Sequence, residues 1–358
     1  MQITDGRKKY FTKHLVNWHS NDNDRSLPWK SEKDPYKIWL SEIILQQTRA
    51  QQGLPYYLAF TDAYPSVKDL AAAADEDVFR IWQGLGYYNR CKNMLATASY
   101  ITDELGGVFP NTHEAIIGLK GVGAYTAAAI ASFAYGLPHA VVDGNVYRVL
   151  SRYFGIETPT DSTEGKKVFA ELAQELLNAD DSSGYNQAIM DLGATICTPR
   201  NPKCTECPLQ KNCEAFRKGL TALLPVKGKK ILVTTRYFNY LILRYKNTIW
   251  VNKRSEDDIW ANLHEPFLIE TDQPLTLDAL IADETFQDLN PGYSYIEFTG
   301  SDTQKLTHRI IKSNFFTLEL NAKCADLVEE GMWLDATALG KIAFPKTVLS
   351  FLKNNSYF

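Results

Sequence analysis

The chain has 358 residues, of which 45% are hydrophobic, 22% charged and 12% aromatic. That length suits two soluble globular domains of ordinary size, the apolar content excludes extended disorder, and no apolar run approaches the roughly 20 residues of a membrane helix. The net charge of −4 argues against a nucleic-acid ligand only as an average, because residues 190–230 carry eight Lys and Arg against three Asp and Glu.

The first eighteen residues lack the apolar run of a secretory signal, so a cytoplasmic, reducing location is expected, in which the six cysteines are not paired by default. Up to about residue 220 the apolar spacing is helical, with Ala-rich stretches at 70–74 and 126–134 and Gly or Pro punctuation between them. Within this all-α region Glu42 has Ile38, Trp39 and Leu45 at i−4, i−3 and i+3. An apolar face of that kind raises a carboxyl pKa and keeps a proton available near neutral pH, as a general acid requires; the alternative is a boundary glutamate reaching solvent. Leu119-Lys-Gly-Val-Gly-Ala-Tyr-Thr126 places Gly121 and Gly123 in a tight turn between helical segments, where helix-start amides can face a phosphate. Asp143 follows 20 residues after Gly123, just before a helical run from Val146. It reads as a helix N-cap, and a carboxylate facing helix-start amides is expected to stay ionised, able to stabilise a cation beside it. Asn145 could hold that carboxylate.

Cys197, Cys204, Cys207 and Cys213 form C-x6-C-x2-C-x5-C, a single loop able to wrap one metal centre. Chemistry alone leaves zinc and an iron–sulfur cluster open, although a zinc ribbon usually shows two C-x2-C knuckles. Arg200 and Lys203 sit between the first two cysteines, with the basic residues that follow; such a field can bind phosphate or form a solvated face. Cys91 and Cys324 stand apart and are expected to be buried thiols. A polar, breaker-containing stretch at 219–231 reads as a linker. Beyond it, β-branched and aromatic runs at 231–233, 237–245 and 248–252, followed by helical patches at 275–282 and 336–341, predict an α+β domain.

The cysteine loop and the two-glycine hairpin resemble those of the endonuclease III superfamily of DNA glycosylases. Leu27-Pro-Trp-Lys30, Trp39-Leu-Ser-Glu-Ile-Ile-Leu-Gln-Gln-Thr48 and Gly84-Leu-Gly-Tyr-Tyr-Asn-Arg90 narrow the resemblance to MutY-type adenine DNA glycosylases over nearly the whole chain. The fold implied is an all-α helix–hairpin–helix domain with a [4Fe–4S] loop, followed by an α+β Nudix (MutT)-like domain. Its expected divisions are a catalytic region over 1–218 (a six-helix module about 29–134 and an iron–sulfur module about 1–28 plus 135–218), a linker over 219–231 and a lesion-recognition domain over 232–358.

The resemblance implies that the four cysteines hold a [4Fe–4S] cluster and that Glu42 is the general acid. Asp143 stabilises an oxocarbenium-like sugar, and Tyr125 and Asn145 assist. Arg25, Leu27, Trp29, Lys30 and Gln187 form the adenine pocket. Gln47, Thr48, Leu85 and Tyr87 surround the opposite base, while Tyr88 is core. Lys120, Gly121, Gly123, Arg200 and Lys203 meet DNA. Tyr125 stands where bifunctional relatives carry a Schiff-base lysine, so amine attack there is excluded. The second domain lacks a Nudix hydrolase box, and the family's F-S-H turn reads Leu306-Thr307-His308. Thr307 keeps a hydroxyl for the lesion, while Leu306 loses the aromatic ring. Two further departures are Lys30 where arginine is usual and Gln187 where some members carry glutamate; a lysine cannot make a fork-like contact. The implied function is monofunctional hydrolysis of the N-glycosidic bond of adenine mispaired with 8-oxoguanine or guanine, in base excision repair. The implied partner is duplex DNA, bound by a monomer associated with the nucleoid and not with a membrane. An endonuclease III-like glycosylase for oxidised pyrimidines is the rival, opposed by Tyr125 and the second domain. A non-catalytic iron–sulfur DNA-binding protein would need neither Glu42 nor Asp143.

Overall fold

The computed structural model describes residues 4–228, 232–256, 258–323 and 331–357. In chain order the helices are α1 (Asp5–Asn21), α2 (Pro35–Leu45), α3 (Ala50–Ala63), α4 (Val67–Ala71), α5 (Asp75–Trp82), α6 (Asn89–Asp103), α7 (His113–Ile117), α8 (Ala124–Tyr135), α9 (Gly144–Phe154), α10 (Thr163–Leu176), α11 (Ser182–Thr195) and α12 (Glu214–Lys218). The remainder holds β1 (Thr234–Tyr245), β2 (Thr248–Lys253), β3 (His264–Glu265), β4 (Phe267–Thr271), α13 (Leu277–Ile281), α14 (Glu284–Leu289), β5 (Tyr293–Lys305), β6 (Arg309–Leu320), β7 (Met332–Leu334), α15 (Ala336–Leu339) and α16 (Lys346–Asn354). Among the described residues no helix is long and apolar enough to cross a membrane.

The chain divides into two compact units, Met1–Ala71 with Ala96–Lys230, and Ala72–Leu95 with Ile231–Phe358. Residues 72–95 therefore fall outside the helical unit to which the sequence division assigns them. The Ala-rich stretch at 70–74 is not one helix either: α4 stops at Ala71, and α5 restarts at Asp75 with three acids in its first turn, where the helix dipole favours them.

In the first unit the amino-terminal helix α1 closes on α9, α10 and α11. Phe11, Leu15 and Trp18 pack with Val149, Tyr153 and Phe169 in one apolar core. Helix α2 begins at the Asp34 cap, which accepts the Tyr36 N–H, and is buried along most of its length, packing on α3 and α8. The hairpin turn between α7 and α8 buries Leu119 and Val122 and needs glycine at Gly121, where φ is 77°. The segment after α12 is tied to the same unit up to residue 228. Arg152 donates to the Leu224 carbonyl at 3.0 Å, and the Thr160 N–H donates to the Val226 carbonyl at 3.1 Å.

The second unit is built on a seven-stranded mixed sheet, with the path β3-β2-β1-β6-β5 and with β4 on β1 and β7 on β2. The β1–β6 pairing is parallel and the others are antiparallel, and α13 and α14 pack with the sheet in one core containing Leu241, Trp250, Leu280, Phe286 and Phe316. This mixed sheet fits the expected Nudix-like class. The expected run at 231–233 is not a strand among its described residues; Leu232 and Val233 are exposed, and pairing starts at Thr234. Cys91 is buried, whereas Cys324 lies outside the described residues.

Candidate active site

Glu42 lies inside α2, 5% exposed, with Ile38, Trp39 and Ile43 buried around it. Burial raises its pKa to about 7, the nearby Asp143 charge pushes it further up, and a hydrogen bond from the Tyr125 hydroxyl opposes the shift. The solvent-reaching alternative for Glu42 does not hold.

Tyr125 is the second residue of α8, which starts at the hairpin and packs on α2, so the helix–hairpin–helix turn delivers this hydroxyl to the acid. Asp143 caps α9. Its Oδ1 accepts the Asn145 and Val146 N–H groups, both at 2.8 Å, and its Oδ2 accepts the Asn145 Nδ2 at 2.6 Å. These donors favour the carboxylate, yet burial outweighs them and the net direction of its pKa is upward, against the expectation from capping alone. Two coupled carboxyls thus share the site. The three N–H donors hold the anion at Asp143, and the apolar shell holds the proton at Glu42.

Helix α9 extends this arrangement to the cysteine loop. Arg148, one turn after Gly144, donates through Nη2 to Asn145 Oδ1 at 2.7 Å and to the Gly193 carbonyl at 2.5 Å, and through Nε to the Cys197 carbonyl at 2.6 Å. Arg152, one turn further, reaches Cys197 Sγ at 3.4 Å and the Thr198 carbonyl at 2.7 Å. The loop is closed by short turns, including Cys207 N–H to the Cys204 carbonyl and Cys213 N–H to the Gln210 carbonyl. Cys197, Cys204, Cys207 and Cys213 line one cavity, and none is in a disulfide. A set of four thiols with an arginine N–H directed at one sulfur suits a negatively charged iron–sulfur cubane. Arg200 and Lys203 are exposed on the same loop, Lys203 facing Glu206 at 3.7 Å.

Of the expected adenine-pocket residues, Arg25 and Lys30 meet at a residue the sequence reading counted only as a charge. Asp191, fully buried, accepts from Arg25 Nη1 at 2.6 Å and from Lys30 Nζ. Lys30 also donates to the Arg25 carbonyl at 2.5 Å. Gln187 lies one turn before Asp191 on α11 and is half-buried, as is Leu27. Trp29 is buried edge-on to Tyr57. Gln47 is exposed with φ 57°, a left-handed conformation that costs a non-glycine residue about 1–3 kcal/mol; Thr48, beside it, is half-buried. Lys120, Gly121 and Gly123 are exposed on the hairpin, the Lys120 carbonyl accepting from Thr97 at 2.9 Å.

In the second unit Tyr87 is 45% exposed with φ 49°, whereas Leu85 is 4% exposed, so only the tyrosine of this pair is presented at the surface. Arg90 supports the loop by donating to the Gly86 carbonyl at 3.1 Å and lying over the Tyr87 and Trp82 rings. Tyr88 is buried, as expected of a core residue. Thr307 and His308 form the exposed turn between β5 and β6, and the Tyr87 hydroxyl lies 2.6 Å from Thr307 Oγ1. The two residues assigned to the opposite base by separate motifs are therefore neighbours.

Residues 40–177 match the HhH-GPD superfamily base excision DNA repair protein family, and residues 197–213 match the iron–sulfur binding domain of endonuclease III. The chain is 31% identical over 348 residues to the adenine DNA glycosylase of Buchnera aphidicola subsp. Schizaphis graminum, spanning 96% of this chain and 98% of the relative. The chain belongs to the adenine DNA glycosylase family. The mouse adenine DNA glycosylase is 40% identical over 60% of this chain and 44% of its own length. Among solved structures, a thermostable thymine-DNA glycosylase aligns with TM-score 0.56 at 32% identity, over 61% of this chain and all of the other. A non-covalent endonuclease III–DNA complex shares the fold at TM-score 0.53 and 20% identity, over 61% of this chain and 99% of the other. Family membership and the cysteine loop together establish a [4Fe–4S] glycosylase. Anaerobically purified protein is expected to carry about four irons per chain, measured by metal analysis and visible absorption, and Cys204→Ser should lower both iron content and DNA affinity.

Proposed function

We propose that this glycosylase hydrolyses the N-glycosidic bond of adenine placed opposite 8-oxoguanine or guanine in duplex DNA, as a monomer acting at the nucleoid. The observation that carries the reading is the buried Glu42 carboxyl, with a pKa of about 7, beside the Tyr125 hydroxyl and the amide-held Asp143. Glu42 gives its proton to a ring nitrogen of the flipped adenine, and the electron pair of the bond between C1′ and N9 leaves with the base. The positive charge on the sugar then faces Asp143, with Asn145 keeping that carboxylate in place. Water adds at C1′, and its proton returns to the Glu42 carboxylate. No lysine stands at position 125 to trap the sugar, so the product is an intact abasic site. Hydrolysis of this bond is redox-neutral, so Cys197, Cys204, Cys207 and Cys213 would hold the [4Fe–4S] cluster to organise the loop that Arg148 and Arg152 grip.

The lesion reading rests on the Tyr87–Thr307 pair. Residues 72–95 share a unit with the carboxy-terminal residues, so a point substitution tests this better than truncation. Thr307→Ala should keep adenine excision and lower the ratio of rates on adenine:8-oxoguanine and adenine:guanine duplexes about three- to tenfold, the scale of one lost hydrogen bond. An unchanged ratio at fixed salt would remove Thr307 from lesion recognition.

A further inference from the structure

We propose that Asn186 is a positioning residue that sets the placement of Asp143. The stretch between the α8 cap at Gly136 and Asp143 has no repetitive structure, so its backbone groups need partners from elsewhere. Asn186, on α11 and 1% exposed, supplies two of them. Its Oδ1 accepts the Val141 N–H at 3.0 Å, and its Nδ2 donates to the His139 carbonyl at 2.9 Å. These are the two groups flanking Ala140 that a single residue on a neighbouring parallel strand would pair with, so one carboxamide stands in for a strand. The second Nδ2 hydrogen reaches Ser132 Oγ at 2.9 Å, which anchors the amide to α8 and fixes its orientation. Gln174 makes a similar pair with Ala140 N–H and the Pro138 carbonyl, but from an exposed position.

Asp143 is therefore held from both sides. The α9 amides fix its carboxylate from after it, and Asn186 fixes the chain two residues before it. Releasing the Asn186 side lets the cap shift while the helix remains. A displacement near 1 Å is enough to cost about a hundredfold in rate.

This inference rests on the reading of Asp143 as the anion facing the sugar cation. Full-length Asn186→Leu, and Asn186→Ala in case the larger apolar group disturbs folding, are tested with two inert duplexes opposite 8-oxoguanine. One carries a neutral tetrahydrofuran abasic analogue and the other a cationic pyrrolidine at the same position. The expected result is excision slowed about ten- to a hundredfold, affinity for the neutral duplex within about threefold of the unsubstituted protein, and a preference for the cationic duplex reduced about tenfold, since a misaimed carboxylate weakens only the charged contact. Unchanged cation preference in Asn186→Ala, or equal loss of affinity for both duplexes, overturns the assignment. Asp143→Asn serves as the control: if it keeps the full cation preference, Asp143 is not the anion and the Asn186 proposal falls with it, whereas loss there with none in the Asn186 variants overturns the Asn186 role alone.

Discussion

Glu42→Gln is expected to bind the mispaired duplex normally and to lose adenine excision by a hundredfold or more, the scale of general-acid loss. Glutamine has the same shape and can still accept the Tyr125 hydrogen bond, but it has no proton to give. The same burial that makes Glu42 an acid makes it a liability. Its folded pKa is about 7 against an ordinary 4.5, so above pH 4.5 the unfolded chain has released a proton that the folded chain still holds. Stability is therefore lost as pH rises from about 4.5 to 7, by at most about 3 kcal/mol for a shift of this size. Glu42→Gln should accordingly unfold at a higher temperature than the unsubstituted protein at pH 7.5, with the difference vanishing near pH 4.5. Single-turnover excision by the unsubstituted protein should fall toward tenfold per unit above about pH 7, because only the protonated Glu42 acts, and should fall again at acid pH as the Asp143 carboxylate, whose pKa burial raises, takes up a proton. Thermal melts and rate measurements across this range check both trends.

Asp143→Asn is the second large effect. Asparagine is an equally good N-cap, so α9 should keep its start and the protein its stability within about 1 kcal/mol. What disappears is the charge proposed to face the sugar. A loss of a hundredfold or more in single-turnover excision is expected with duplex affinity retained. A variant that fails through folding would instead lose iron, affinity and rate together, because the Asn145–Arg148 contact ties this cap to the Cys197 loop.

The parts of the site legible in the sequence are those encoded by local spacing. The apolar neighbours of Glu42 lie within one turn of its own helix, the cap at Asp143 is written in the residues just after it, and the four cysteines fall within 17 positions. Residues whose partners are remote in the chain were not legible. Asp191 meets Arg25 and Lys30 across more than 160 positions, Arg148 reaches Cys197 across 49, and Asn186 reaches Val141 across 45. Nothing in their local patterns distinguishes them from surface polar residues; only the folded helices α9 and α11 bring them inward. Leu85 and Tyr87 illustrate the same limit, since both belong to one glycine-rich motif and only the backbone path, with Tyr87 at φ 49°, shows which one is presented. The burial that works against the helix-start amides at Asp143 was likewise not legible, because it comes from residues remote in the chain while the amides follow directly in sequence.

The most direct measurement is single-turnover release of free adenine from a duplex containing one adenine:8-oxoguanine pair, at pH 7 and fixed salt, with the product strand examined before and after alkali. The expected result is adenine release by the unsubstituted protein, strand cleavage only after alkali, and at least a hundredfold slower release by Glu42→Gln. Strand scission without alkali, or near-normal release by Glu42→Gln, would contradict a monofunctional adenine glycosylase driven by this buried acid.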